Sequence, residues 1–119
     1  MDMPKIFESE YRFCQILWEK EPIGSGELAD LCFQRLGWKK STTYTVIKRL
    51  TERGVVRSEK AVVTSVVSRE QIQEAESQEV VARSFFGSLP QFVAAFTRSC
   101  KLRPEEVEEI RRLIEEYHE

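Results

Sequence analysis

The sequence predicts a mainly α-helical chain with one small β-hairpin, on three observations. Apolar residues recur at helical spacing in six segments, a single valine- and threonine-rich stretch breaks that rhythm midway, and Gly or Pro stands at several segment ends. At 119 residues, with 41% hydrophobic and 32% charged residues, the chain has room for one ordinary domain, or for a small domain with an appended interaction segment. A two-lobed active site would need more chain. No apolar run approaches the ~18 residues that span a bilayer. The start, "MDMPKIFESEYRF", is acidic where a signal peptide would be basic and then apolar, so the expected location is cytoplasmic.

The first helix is expected from about Ser9, a possible cap, to Lys20, with Tyr11, Phe13, Cys14, Ile16, Leu17 and Trp18 as a broad apolar face and Pro22 beyond its end. In "SGELADLCFQRL", Ser25 is the expected N-cap, Leu28, Leu31, Cys32 and Leu36 form the stripe, and Gly37 closes the helix. The third helix, about Ser41 to Arg53, carries Thr43, Val46, Ile47 and Leu50 on one side and stops at Gly54. "VVRSEKAVVTSVVS" then reads as two short strands around a polar turn at Ser58, Glu59 and Lys60. Ser68 with Gln71 makes a capping box that opens a long helix to about Phe86, broken by Gly87, Ser88 and Pro90. "QFVAAFTRSC" and a last helix with Pro104 near its first position complete the chain.

Three compact helices followed by a two-stranded ribbon is the order of a winged helix-turn-helix, in which the third helix enters the DNA major groove. Residues 1–68 are therefore expected to form that domain, and residues 69–119 a helical dimerisation region. Phe85, Phe86, Leu89, Phe92, Phe96, Val107, Ile110 and Ile114 are its expected interface, since these helices are too apolar to stand alone.

Charge supports this division. Residues 35–60 carry eight Lys/Arg against two Glu, a net +6 that leaves −8 for the other 93 residues. A basic block in an acidic chain is the footprint of a segment that meets phosphates. On the third helix, the buried stripe leaves Ser41, Tyr44, Thr45 and Lys48 on the opposite face, flanked by Thr42 and Arg49. Lysine and arginine suit phosphates and guanine edges, hydroxyls donate to phosphate oxygens, and a threonine methyl can lie on a thymine methyl. Lys39 and Lys40 sit at the helix start, where free N–H groups also favour phosphate. In the hairpin, Arg57 and Lys60 are candidates for backbone contacts. A merely solvated face is the plain alternative, but Glu and Lys pairs would be its usual filling.

The three cysteines, Cys14, Cys32 and Cys100, are isolated in apolar context and are expected to be buried thiols. One histidine, His118, and no ligand-spaced cysteine pair argue against a metal site. No cofactor is expected. Without a Ser/His or Cys/His constellation or a phosphate loop, no enzyme is expected either.

"ESEYRFCQILWEKEPI", the third-helix pattern of Trp38, Ser41, Thr42 and "TVIKRLTERG", and "FFGSLPQFVAAF" together resemble the penicillinase repressor family of bacterial winged-helix regulators over nearly the whole chain. Of the family's third-helix pattern, Trp38, Thr42, Thr45, Arg49, Leu50 and Gly54 are kept, while Lys39, Lys40 and Ser41 stand where the family often has Ser-Pro-Lys. The resemblance implies a homodimeric repressor on an inverted-repeat operator, with the C-terminal helices as dimer interface. It also implies induction through a membrane sensor-transducer peptidase, with cleavage beside a Phe where this chain has Ser84 and Phe85. The hairpin lacks the basic and aromatic residues common in the family's wing, and Cys100 stands alone where the copper-responsive branch has a cysteine pair. The expected function is DNA-binding transcriptional repression. The alternative is a winged-helix module that binds another protein.

Overall fold

The computed structural model describes residues 5–119. In chain order, α1 spans Glu8–Lys20, β1 Ile23–Gly24, α2 Ser25–Leu36, α3 Lys40–Glu52, β2 Val56–Glu59, β3 Val62–Ser65, α4 Arg69–Ser84, α5 Leu89–Ser99 and α6 Pro104–Glu115. The mainly helical chain with a small antiparallel sheet is the fold class the sequence predicts. It divides into two compact units, one ending at Glu76 and one from Ser77 to Glu119.

The first unit is built around the stripes of its three helices. Phe13, Leu17, Leu28, Cys32 and Leu50 are all fully enclosed, and Val56 and Val63 of the sheet, with Val55 just before β2, close the core. Trp38 stacks parallel to Phe13, with ring centroids 6.2 Å apart and planes 4° from parallel, and so packs half-buried against the core. The Trp18 indole N–H donates to the Val67 carbonyl at 3.0 Å, and Arg69 lies over its ring, 5.7 Å from the centroid. Burial of these apolar faces, rather than helix propensity, supplies most of the stability of helices this short.

Several local features differ from expectation. Ser9 does not cap α1; Phe7 holds the N-cap position, and its N–H donates to the Glu10 carboxylate at 3.0 Å, so the acid three residues on does the capping. Ser25 is the first residue of α2 instead of its cap, because its N–H donates to the Ala61 carbonyl at 2.8 Å as β1 enters the sheet. The strand order is β1-β3-β2, with Ile23 opposite Val63. Two residues are too few to show an alternating pattern, which is why β1 was not expected.

The hairpin turn is also shifted. Ser58 and Glu59 lie within β2, and Glu59 pairs with Val62, leaving Lys60 and Ala61 as the two turn residues. Both have positive φ, 51° and 62°, as a two-residue turn between right-twisted strands demands. Neither is the Gly or Asn that this backbone favours, so the sequence marked the turn but not its two residues.

On α3, Thr43 is fully buried, and its hydroxyl has no hydrogen-bond partner among the described residues. The Cys32 thiol of α2 lies beside it without hydrogen-bond geometry. An unsatisfied buried hydroxyl costs about 1 to 3 kcal/mol. Thr43→Val is accordingly expected to raise stability by about 1 kcal/mol in urea denaturation; a loss would mean that the hydroxyl has a partner.

In the second unit, Ser88 caps α5 by accepting from the Gln91 N–H at 3.2 Å, and Arg103 holds the N-cap position of α6, where its N–H donates to the Glu106 carboxylate at 3.0 Å. Phe85 meets Phe92 edge to face at 5.4 Å, and Phe92 stacks near Phe96 at 6.3 Å. Yet no residue of α5 or α6 is buried. Cys100, expected to be buried, is exposed at the end of α5, because that helix has no enclosed core to enter.

Candidate nucleic-acid interface

Two faces of α3 are separated by its periodicity. Thr43, Val46, Ile47 and Leu50 point into the core, and Ser41, Thr42, Tyr44, Thr45, Lys48 and Arg49 are exposed to solvent. Tyr44 keeps 46% of its surface exposed, a large fraction for an aromatic ring. The Thr45 hydroxyl donates to the Ser41 carbonyl at 2.9 Å. Its proton is thus committed, and what it offers outward is a methyl group and an acceptor oxygen.

At the start of α3, Lys39 takes the N-cap position without a side-chain cap, so no side chain covers the first-turn N–H groups. The Thr42 N–H donates to the Lys39 carbonyl at 2.9 Å, which leaves the Lys40 and Ser41 N–H groups for an acceptor from outside, such as a phosphate oxygen. Lys40 reaches back to Asp30 of α2 at 3.2 Å. This exposed pair is weak, worth about 0 to 1 kcal/mol, and can yield to a stronger anion.

The basic block is partly spent inside the unit. Arg35 bonds the Glu19 carboxylate at 3.1 and 3.4 Å, and Arg53 pairs with buried Glu10. The cations of the block without an ion pair among the described residues are Lys39, Lys48, Arg49, Arg57 and Lys60. Arg57 and Lys60 are exposed in the hairpin, Lys60 at its tip. Arg57 shares the outer sheet face with Glu59, Val62 and Thr64, so the wing carries opposing charges and no aromatic residue.

The role of Glu10 and Arg53 was not visible in the sequence. Burial alone would raise the Glu10 pKa. Hydrogen bonds from Arg53 and the Phe7 N–H, with the charges of Arg53 and Arg49, outweigh it and hold the carboxyl below its usual range. The two buried thiols shift the other way: burial with no cation strong enough to offset it pushes Cys14 up to about 12 and Cys32 up as well, which disfavours their thiolates. No group of three or more His, Cys, Asp or Glu among the described residues could hold a metal. No helix among them is long and apolar enough to cross a membrane.

Three packed helices closed by a three-stranded antiparallel sheet, with an exposed hydroxyl-rich face on the third helix, define a winged-helix domain. The penicillinase repressor family model matches residues 6–116, and the chain belongs to that family, one of DNA-binding transcriptional regulators and not of enzymes. A protein of Latilactobacillus sakei, described as an uncharacterized 16.5 kDa protein in ptsI 3'region, is 34% identical over 56 residues. The match covers 47% of this chain and 38% of that protein, so the chain spans well under half the length of this relative.

Proposed function

We propose that the chain is a homodimeric repressor that inserts α3 into the major groove of a palindromic operator and blocks transcription by occupying the promoter. The carrying observation is the outward face of α3, whose polar and basic side chains project from a helix held on its other side by a closed core. Ser41, Tyr44, Thr45 and Lys48 read the operator, Thr42 and Arg49 flank it, and Lys39 and Lys40 with the uncapped helix start hold a phosphate. Arg57 and Lys60 touch the neighbouring backbone. In this reading the reading head ends at residue 68, and residues 69–119 hold the dimer through Phe85, Phe86, Leu89, Phe92, Phe96, Val107, Ile110 and Ile114.

Induction in this reading comes from a membrane sensor-transducer peptidase that cuts at Ser84 and Phe85. The Phe85 N–H donates to the Val81 carbonyl at 3.1 Å and its ring packs on Phe92, so this turn must open before a protease can take it in extended form.

The test separates positioning from readout. Lys48→Ala is expected to weaken binding to all DNA and to lower the salt slope by about 0.9 per half-site. Thr45→Ala, which removes a methyl from the reading face, is expected to change sequence preference by about 1 to 3 kcal/mol with the slope unchanged. Anisotropy titrations from low to high salt measure both. Unaltered binding by both variants would remove α3 from the interface, and a salt-insensitive wild-type complex would favour a protein-binding module.

A further inference from the structure

Both ends of α3 are fastened to one turn of α1. At the entry, Trp38 lies on Phe13. At the exit, Arg53, the C-cap residue, pairs through Nη2 with Glu10, one turn before Phe13. The same guanidinium donates from Nη1 to the Lys5 carbonyl at 3.0 Å and lies over the Phe7 ring, 5.8 Å from its centroid. The Glu10 carboxylate is spent twice, on Arg53 and on the Phe7 N–H at 3.0 Å. Glu10 is 5% exposed, and the Arg53 side chain 31%. A buried carboxylate with this set of bonds has one arrangement that satisfies it, and removing its partner strands a charge away from water.

We propose that Glu10 and Arg53 are positioning residues for operator recognition: they set the angle at which α3 leaves the core, and Arg53, though the last cation of the reading helix, does not contact phosphate. This rests on the reading of α3 as the recognition helix. A helix pinned only at Trp38 would pivot about that end, and its outward side chains would move most at Lys48 and Arg49, near the free end. Because Arg53 is already neutralised by Glu10, its loss removes no phosphate contact and releases no counterions.

The experiment uses the full chain with Arg53→Met, Arg53→Lys and Glu10→Gln, each titrated against operator DNA over a salt series. Arg53→Met and Glu10→Gln are expected to raise Kd about tenfold or more, the worth of one well-aligned base contact, with the salt slope unchanged. Arg53→Lys keeps the charge but cannot serve Glu10 and the Lys5 carbonyl together, and should fall between; it carries the comparison if Arg53→Met does not fold. A slope reduced by about 0.9 per half-site would overturn the proposal by making Arg53 a phosphate contact, as would tighter binding by Glu10→Gln. A second measurement needs no DNA. Hydrogen exchange at the Arg53, Gly54 and Val55 amides, which bond to Arg49, Thr51 and Leu50, is expected to quicken in all three variants while the amides of α2 hold. Unchanged exchange would refute the pin. Absence of specific binding by the wild type would instead sink the recognition-helix reading, and the exchange result would still decide whether this pair holds α3.

Discussion

Removing the chain beyond Ser84 is expected to leave a folded monomer whose operator affinity is lower by roughly 10²- to 10⁴-fold. The first unit ends at Glu76 and carries its own closed core, so it does not need α5 or α6 to fold. Those helices lack any buried residue, yet Leu89, Phe96, Val107, Ile110 and Ile114 stand exposed on them, and Tyr117 just beyond α6. Exposed apolar side chains in such number mark an association surface. In the proposed dimer, once one reading helix is seated, the other faces its half-site at high effective concentration, and the truncation abolishes that advantage. Light scattering and a DNA titration on the same preparation check it; a truncated chain that stayed dimeric would move the interface elsewhere.

Leu50→Ala is expected to cost about 2 to 5 kcal/mol, a large share of the ~5 to 15 kcal/mol that holds a domain of this size. Leu50 is fully buried on the inner face of α3, in the same core cluster as Val55 and Val56. Truncation would leave a cavity that these β-branched neighbours fill poorly. Operator binding should fall with it, because α3, the reading helix in the proposed complex, rests on that side chain. Lys48→Ala, two residues away on the outer face, should change stability by about 0.5 kcal/mol or less. Urea denaturation of the two variants would show whether the faces of α3 divide support from readout as their burial implies; equal losses would mean they do not.

The helices were legible because each carries one apolar stripe at helical spacing, and the inner residues of α3 could be read off that spacing. The Ser68 and Gln71 capping box was equally legible, and both of its hydrogen bonds form, at 2.9 and 3.1 Å. So was Gly37, whose φ of 72° ends α2 in the left-handed conformation that glycine tolerates. Less could be read where the structure depends on long-range partners. β1 exists only because β3 is there to pair with it, and the hairpin register followed strand twist rather than turn chemistry. Cys100 sat in apolar sequence, but apolar sequence is buried only when its own unit or a partner covers it.

The candidate site shows the same boundary. Periodicity assigned the outward face of α3, because a helix has fixed geometry. Net charge could not reveal which cations were free: Arg35 and Arg53 are held by carboxylates 16 and 43 residues away in the chain, and Lys40 meets Asp30. What reaches outward from the basic block is therefore a smaller set, in which Lys39, Lys48 and Arg49 surround the hydroxyl face of α3 and Arg57 and Lys60 lie in the wing.

Selection of bound sequences from random DNA by the full chain tests the central claim most directly. The account predicts recovery of a palindrome whose half-sites lie about one helical turn, ~10 base pairs, or a multiple of it apart, with enrichment lost at the base positions under Thr45 when that residue is alanine. Recovery of no shared sequence, or of a single half-site without symmetry, would contradict it.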